Sequence, residues 1–200
     1  MSPPLSLTLH GAAHGAVQIL GALSFSVAPR ETVAITGASG AGKTTLLRII
    51  AGLHRGWSGE LRLQGRLAMV FQEPVLLPWR TALQNICLAT GASLAEGEAA
   101  LASVDLAAKS GAYPDQLSLG QQRRLSLARA FATKPDVLLL DEAFVSLDAA
   151  LADEIMSLFE RLRDRHDVAT VLVTHDAAEA ARLATRIVVL SGQPARIVTG

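Results

Sequence analysis

The chain has 200 residues and a mass of 21.0 kDa, enough for one domain with a sizeable core. Half of the residues are hydrophobic and 18% are charged, a composition that excludes a disordered protein. No apolar run approaches the roughly 18 residues of a membrane span, so a soluble protein is expected. A formal net charge of zero excludes a general attraction to nucleic acid, and a single cysteine excludes an intrachain disulfide.

The first part of the chain carries two kinds of strand pattern. Residues 5–9 and 23–27 alternate between apolar and polar side chains, which is typical of a half-exposed antiparallel sheet. Residues 32–36 are almost continuously apolar or β-branched, as in a strand buried on both faces. A glycine-rich loop follows, and a helix is predicted at residues 43–51. Further short strands are predicted at residues 61–63 and 67–71.

Helical patterns dominate the middle of the chain, and strands then alternate with helices. Helices are predicted at residues 82–89, 95–104 and 121–132. Strands are predicted beyond these at residues 137–140, 168–173 and 187–190. The first two are separated by a helix with an apolar stripe at residues 151–162, and the last two by a helix at residues 176–183.

Strand-helix alternation predicts a parallel sheet with right-handed crossovers. We therefore predict an α/β fold of one domain. Residues 1–72 and 136–200 form the parallel core with an antiparallel β edge, and residues 73–135 form an inserted helical subdomain.

The glycine-rich loop at residues 37–44 reads GASGAGKT and matches the phosphate-loop pattern G-x-x-x-x-G-K-[ST], between a buried strand and a helix. Its glycines let successive backbone N–H groups point at phosphate oxygens, and the helix start adds the positive end of its dipole. Lys43 supplies a charge for the β and γ phosphates, and Thr44 offers a hydroxyl to Mg²⁺. The loop by itself leaves kinases, GTPases and ATPases open.

Two carboxylates follow the apolar strand at residues 137–140. Ligands of open α/β sheets bind at the carboxyl ends of the strands, which is where these side chains lie. Asp141 is predicted to hold the magnesium ion, and Glu142 is predicted to act as the base for an attacking water.

A third segment, Leu117-Ser118-Leu119-Gly120-Gln121, precedes a helix and resembles the LSGGQ signature of the ATP-binding-cassette (ABC) ATPases. The remaining motifs of that family occur in its order: Gln72 after a strand, Ser146-Leu147-Asp148 after the second carboxylate, and Thr174-His175-Asp176 at a later strand end. The resemblance covers almost the whole chain and implies the P-loop fold of an ABC ATPase.

The resemblance implies ATP hydrolysis with Mg²⁺. Glu142, His175 and Gln72 are the implied catalytic residues, and the implied metal ligands are Thr44, Gln72 and Asp141. His14 occupies the place of the aromatic residue that stacks on adenine, with a plain surface histidine as the alternative. The other implied ATP-binding residues are Gly37, Ala38, Ser39, Gly40, Ala41, Gly42, Lys43, Thr44 and Thr45.

The resemblance also implies a pair of subunits, expected to be a homodimer, in which each ATP lies between one phosphate loop and the other subunit's signature. Asp148 would carry signals across the dimer, and the helical subdomain would contact a transmembrane permease at the cytoplasmic face of the membrane. The residues that would bind the partner's ATP are Ser118, Leu119, Gly120 and Gln121.

Three positions depart from the family pattern. Leu119 stands where the signature has glycine: it is strained if that position needs a positive φ and tolerable if only its N–H matters. Ala143 replaces a proline, and Arg30 stands where a Pro-Gly turn is common. We expect the last two to be local backbone adjustments.

Residues 71–80 and 144–148 look like the importer ATPases of the nitrate, sulfonate and taurine type. Trp79 would line the groove for a permease helix or fill the core of the helical subdomain. An importer subunit is therefore the preferred function, and the alternative is a non-transport ABC-type ATPase with a soluble partner. A kinase or GTPase would leave residues 117–121 and His175 unexplained.

Overall fold

The computed structural model describes residues 3–198, which form a ten-stranded sheet with helices on both faces. The strands are β1 (Leu5–His14), β2 (Val17–Leu20), β3 (Leu23–Val27), β4 (Thr32–Thr36), β5 (Trp57–Leu63), β6 (Leu67–Val70), β7 (Val137–Asp141), β8 (Ala169–Val173), β9 (Arg186–Gly192) and β10 (Ala195–Val198). The helices are α1 (Lys43–Ile50), α2 (Ala82–Thr90), α3 (Leu94–Ser103), α4 (Leu119–Ala132), α5 (Ala149–Asp164) and α6 (Ala177–Leu183). Within residues 3–198 no helix is long and apolar enough to cross a membrane.

Five strands form a parallel block in the order β9-β4-β8-β7-β6. At its β9 edge the sheet continues antiparallel through β10, and β1 pairs antiparallel with β2, β3 and β5. All residues of β7 and β8 are buried, whereas β3 alternates between buried and exposed side chains. The predicted α/β fold with an antiparallel edge is confirmed, and the two hydrophobic patterns distinguish the two kinds of strand.

Side chains of the central strands point alternately to two hydrophobic cores, because the side-chain period of a strand is two. Leu139 joins the core that α1 and the antiparallel strands build, and Leu140 joins the core on the other face, with α4 and α5. Helices α2 and α3 add Ile86 and Leu101 to this second core. The helices at residues 82–132 are thus packed against the sheet through shared apolar contacts.

Two strands, β2 and β10, were not predicted. Each has only four residues, and Val17 and Gln18 of β2 are exposed, so neither strand has a strong period of its own. Each pairs with the strand that precedes it in the chain, β2 with β1 and β10 with β9, and the two meet where Leu20 lies opposite Ala195. The structure also extends β1 to His14.

Helices α2, α3 and α4 each begin with a capping box. The N-cap hydroxyl accepts a hydrogen bond from the backbone N–H three residues later, and the side chain of that residue accepts one from the N-cap N–H. An N-cap of this kind contributes about 1 kcal/mol to stability. The pairs are Thr81 with Gln84, Ser93 with Glu96, and Ser118 with Gln121.

Candidate functional site

The phosphate loop connects β4 to α1 and requires glycine at specific positions. Gly37 has φ 145°, and a Cβ there would collide with the carbonyl of Leu190. Gly42 has φ 84°, and its Cβ would lie 2.7 Å from Cδ2 of Leu20. Only glycine allows this curled backbone at the start of α1.

Lys43 is buried at the first position of α1, with 5% of its surface exposed. Its Nζ donates hydrogen bonds to the carbonyl oxygens of Gly37 and Ala38, at 2.9 and 3.0 Å. The N-cap Gly42 has no side chain to cap the helix, and the first turn has no acidic residue. The amino end of α1 and the ammonium group therefore form a positive concavity that suits phosphate.

Asp141 ends β7 beside the loop, and the hydroxyl of Thr44 donates to its Oδ1 at 3.1 Å. Burial is the largest influence on the pKa of Asp141 and raises it above the ordinary value, while the Thr44 hydrogen bond acts in the opposite direction. With the amide of Gln72 nearby in the cavity, these groups form a set of oxygen donors, the chemistry that Mg²⁺ prefers.

Glu142 follows Asp141 with φ 48°, a left-handed conformation that costs a non-glycine residue on the order of 1 kcal/mol. Its backbone N–H donates to the carbonyl of Val173 at 2.9 Å, which fixes this bend against β8. Nδ1 of His175 lies 3.4 Å from Oε1 of Glu142. The structure therefore brings together two predicted catalytic residues that are 33 positions apart.

A cavity of about 340 Å³ is lined by eight of the fourteen residues predicted to bind ATP or Mg²⁺ or to act in catalysis. Gly37, Ala38 and Ala41 belong to the loop without lining the cavity. Asp141 and His175 also lie outside the lining, in contact with the lining residues Thr44 and Glu142. The lining residues are Ile19, Ser39, Gly40, Gly42, Lys43, Thr44, Thr45, Gln72 and Glu142.

His14 is not among the residues that line this cavity. It is an exposed residue at the end of β1, paired with Val17. Ile19, on the unpredicted strand β2, lines the cavity instead and packs beside Gly42. Ile19 could not be predicted from the sequence, because β2 is too short to show the alternation of apolar and polar residues that marks a strand.

The predicted signature residues lie outside this cavity, at the start of α4. Ser118 is the N-cap, and its Oγ accepts a hydrogen bond from the N–H of Gln121 at 3.3 Å. Leu119 is the first helical residue, is absent from the positive-φ residues, and is 46% exposed, so leucine is unstrained here. A Cβ on Gly120 would lie 2.8 Å from Cδ1 of Leu151, at the end of a side chain on α5, so the two residues are close neighbours.

Three polar side chains on one face of α4 hold the segment that carries Gln72, a contact that sequence analysis missed. Arg123 donates to the carbonyl of Gln72. Ser126 donates to the carbonyl of Pro74 at 2.9 Å, and Arg129 donates to that of Val75 at 2.8 Å. These side chains are three positions apart, a spacing that places them on the same face of a helix and that could have been read from the sequence. The helix that begins with the signature is therefore tied directly to Gln72.

Asp148 lies outside the cavity, as the exposed N-cap of α5. Its Oδ1 accepts a hydrogen bond from the N–H of Leu151 at 2.9 Å. Ser146, two residues earlier, has φ 64° and turns the chain into this cap. The side chain of Leu151 also packs beside Gly120, so the start of α5 lies next to the signature.

A second buried carboxylate, Glu179 on α6, was also missed. It is 6% exposed, and its Oε2 accepts a hydrogen bond from the hydroxyl of Thr174 at 2.6 Å. Burial is the largest influence on its pKa, which is raised, and the Thr174 hydrogen bond acts in the opposite direction. Thr174 directly precedes His175.

Trp79 is 67% exposed and therefore does not fill the core of the helical region. Val75, Leu88 and Leu94 on the same part of the chain are each more than half exposed. A cavity of about 450 Å³ opens here between α2 and the residues that follow α3. It is lined by Arg80, Thr81, Leu83, Gln84, Cys87, Leu88, Leu94, Ser110 and Gly111.

Comparisons with known proteins agree on one family. The family model described as ABC transporter matches residues 20–145. The chain is 46% identical over 191 residues to the aliphatic sulfonates import ATP-binding protein SsuB of Granulibacter bethesdensis, covering 94% of this chain and 80% of that protein. It is 41% identical over 212 residues to SsuB 1 of Xanthomonas axonopodis pv. citri, covering 98% of this chain and 84% of that protein.

A solved structure shares the fold. A metal-chelate type ABC transporter in an inward-facing conformation matches with a TM-score of 0.87 and 24% identity, covering 98% of this chain and 83% of that one. At this identity the likeness shows the fold alone.

Proposed function

This chain belongs to the ABC transporter family, and on that premise we propose that it is the ATP-hydrolysing subunit of an importer for anions of the aliphatic sulfonate type. The observation that carries this proposal is the cavity at the phosphate loop, where Lys43, Thr44 and Glu142 meet. The sulfonate assignment rests on the relatives, which are named aliphatic sulfonates import ATP-binding proteins.

ATP is proposed to bind with its phosphates against the amino end of α1. The ammonium group of Lys43 already points into the loop, at the carbonyls of Gly37 and Ala38, and would turn to the β and γ phosphates. The remaining loop groups, from Gly37 to Thr45, would contribute backbone N–H donors. Thr44, Asp141 and Gln72 would hold Mg²⁺, which neutralises phosphate charge when bound.

Glu142 is proposed as the base for the attacking water. Its carboxylate lines the cavity, and its left-handed backbone directs it away from the strand. His175, within 3.4 Å of this carboxylate, would donate a hydrogen bond to the γ phosphate from its other ring nitrogen. Gln72, at the cavity wall, would orient the water.

A second copy of the chain is proposed to complete the site. The positions of Ser118, Leu119, Gly120 and Gln121 away from the cavity support this proposal, because from there they could contact the nucleotide of another subunit. Asp148 and Leu151 lie beside the signature and would transmit its position across the dimer.

The exposed side chain of Trp79, together with the groove that begins at the neighbouring Arg80, is the proposed contact with a membrane permease, through the helical subdomain at residues 73–135. It holds the chain peripherally at the cytoplasmic face of the membrane. The segment after Gln72 leads straight into this groove and is tied to α4 through Arg123 and Ser126. Nucleotide and permease would therefore act on the same segment.

The rate of ATP hydrolysis against protein concentration tests this proposal. With Mg²⁺ present, the rate per subunit should rise as the subunits pair, because each site needs two copies. A rate per subunit that stays constant down to dilutions where light scattering shows only monomers would contradict the shared site. An absence of hydrolysis at all concentrations would contradict the enzyme assignment.

The solute is tested by uptake of a radiolabelled alkanesulfonate. The assay uses a bacterial strain without its own sulfonate ATP-binding subunit, supplied with this chain and the permease that co-purifies with it. Uptake should require the wild-type chain and fail with Lys43→Ala. Uptake of another solute class but not of the sulfonate would contradict the assignment.

A further inference from the structure

The hydroxyl of Thr174 makes two hydrogen bonds at the end of β8. Thr174 is fully buried; its Oγ1 donates to Oε2 of Glu179 at 2.6 Å and accepts from the backbone N–H of Asp176 at 3.0 Å. The backbone N–H of Thr174 in turn donates to the carbonyl of Ile35 on β4 at 3.3 Å. The hydroxyl of Thr174 therefore joins the two neighbours of His175 in the chain, Thr174 and Asp176.

Asp176 is fixed from its other side as well. Its Oδ1 accepts hydrogen bonds from the N–H groups of Ala178 at 2.7 Å and Glu179 at 3.3 Å, at the start of α6. The strand end, the three-residue turn and the helix start thus form one connected set of hydrogen bonds. Within it, the exposed ring of His175 leaves the turn towards Glu142, at 3.4 Å.

A carboxylate at the depth of Glu179 is costly to bury. The hydrogen bond from the fully buried Thr174 offsets part of that cost, so the two side chains depend on each other. Glu179 is also close enough to His175 and Glu142 for both to influence its pKa, although burial has the larger effect. Glu179 does not line the cavity at the phosphate loop and contacts Thr174, next to His175. Any effect of Glu179 on the site would therefore act through these neighbouring residues.

We propose that Thr174 and Glu179 are positioning residues that hold the imidazole of His175 beside Glu142 for ATP hydrolysis. The proposal rests on the function proposed above, in which His175 contacts the γ phosphate. Without the hydroxyl the turn loses its hydrogen bond to the side chain of Glu179 on α6 and keeps only the contacts of Asp176 with the start of that helix, so the ring samples other positions. ATP itself is bound by the phosphate loop, so the loss falls on turnover more than on binding.

The test compares Thr174→Val, which removes the hydroxyl at constant shape, with two controls. Thr174→Ser keeps the hydroxyl. Thr170→Val removes a hydroxyl from the same buried strand, and Oγ1 of Thr170 has no hydrogen-bond partner among the described residues. Glu179→Ala cuts the connection from the other end, and Glu179→Gln keeps an acceptor there. Thermal melting establishes that each variant is folded.

Two readouts are measured. For Thr174→Val and Glu179→Ala, kcat should fall about ten-fold with little change in KM for ATP, while the three other variants stay near wild type. The imidazole NMR signals of His175, assigned by their loss in His175→Ala, should shift or broaden in the same two variants in nucleotide-free protein.

Unchanged His175 signals, or a fall in kcat that Thr170→Val reproduces, would overturn the proposal. The NMR readout needs no ATP hydrolysis, so it decides the positioning role even if the wild-type chain fails to hydrolyse ATP and the proposed function is wrong. If Thr174→Val does not fold, Glu179→Ala against Glu179→Gln decides by the same two readouts.

Discussion

Thr44 and Asp141 are 97 positions apart in the chain, yet the hydroxyl of Thr44 donates to the carboxylate of Asp141 at 3.1 Å. Burial at this contact raises the pKa of Asp141, with the hydrogen bond from Thr44 opposing the shift. An acid whose pKa is raised on folding destabilises the fold once it is ionised. The site where Mg²⁺ would bind therefore carries a carboxylate that costs stability.

Asp141→Asn should raise the melting temperature by a few degrees near neutral pH while it removes ATP hydrolysis. The gain should be full above the raised pKa of Asp141, shrink as the pH falls through it, and vanish below the ordinary pKa of an aspartate, where the wild-type carboxyl is protonated in both states. Melting curves across this pH range measure the difference. A gain that persists at low pH would contradict the electrostatic origin.

Lys43→Ala should lower ATP hydrolysis on the order of 100-fold or more, because the charge at the phosphate loop is lost. The measurement is phosphate release with Mg²⁺-ATP. Lys109→Ala removes an exposed lysine from the helical part of the chain and is the matched control, expected to behave as wild type. Near-normal turnover of Lys43→Ala would disprove the role of the loop.

Glu142→Gln should leave ATP binding intact and slow turnover on the order of 1000-fold, since the amide cannot take a proton from the attacking water. Two subunits with unhydrolysed ATP between them should then stay paired, which light scattering detects as a doubled mass. Glu98→Gln, at an exposed position on α3, is the control. Fast hydrolysis by Glu142→Gln would show that another group is the base.

Leu119→Gly should give equal or higher ATP turnover, because Leu119 already has an ordinary helical backbone and an exposed side chain. The fold should lose up to about 1 kcal/mol from the first turn of α4. Leu94→Gly is the matched control, since Leu94 also opens a helix directly after a serine N-cap. A large loss of turnover in Leu119→Gly alone would assign the leucine a specific contact with the partner subunit.

Trp79→Ala should weaken co-purification with the permease on the order of ten-fold, because a large exposed aromatic side chain is the kind that dominates binding energy. The melting temperature should stay unchanged, as the side chain is 67% exposed. Val17→Ala, at an exposed position on β2 away from this groove, is the control. Undiminished recovery of the permease would place the contact elsewhere.

Much of the fold could be predicted from the sequence because its patterns are local. The predicted strands at residues 23–27 and 32–36 match β3 and β4, and the helix predicted from Lys43 matches the start of α1. The short strands β2 and β10 could not be predicted, since their partners, and not their own residues, make them strands.

The same limit applied to the candidate site. The loop from Gly37 to Thr44 was evident because a contiguous run of glycines, lysine and threonine encodes its own backbone shape. Glu179 was not evident, because a lone glutamate on a short helix has no pattern, and its contact with Thr174 depends on how α6 packs against β8.

The sequence by itself determined the parallel core, the phosphate loop and the residue types at each strand end, because these follow from side-chain periodicity and from backbone conformations that glycine adopts most readily. Only the tertiary structure decided that Glu142 lies beside His175, that α4 holds the segment of Gln72, and that Ile19 and not His14 lines the cavity. Such contacts join distant segments, and their geometry is set by how strands order in the sheet and how helices pack upon it.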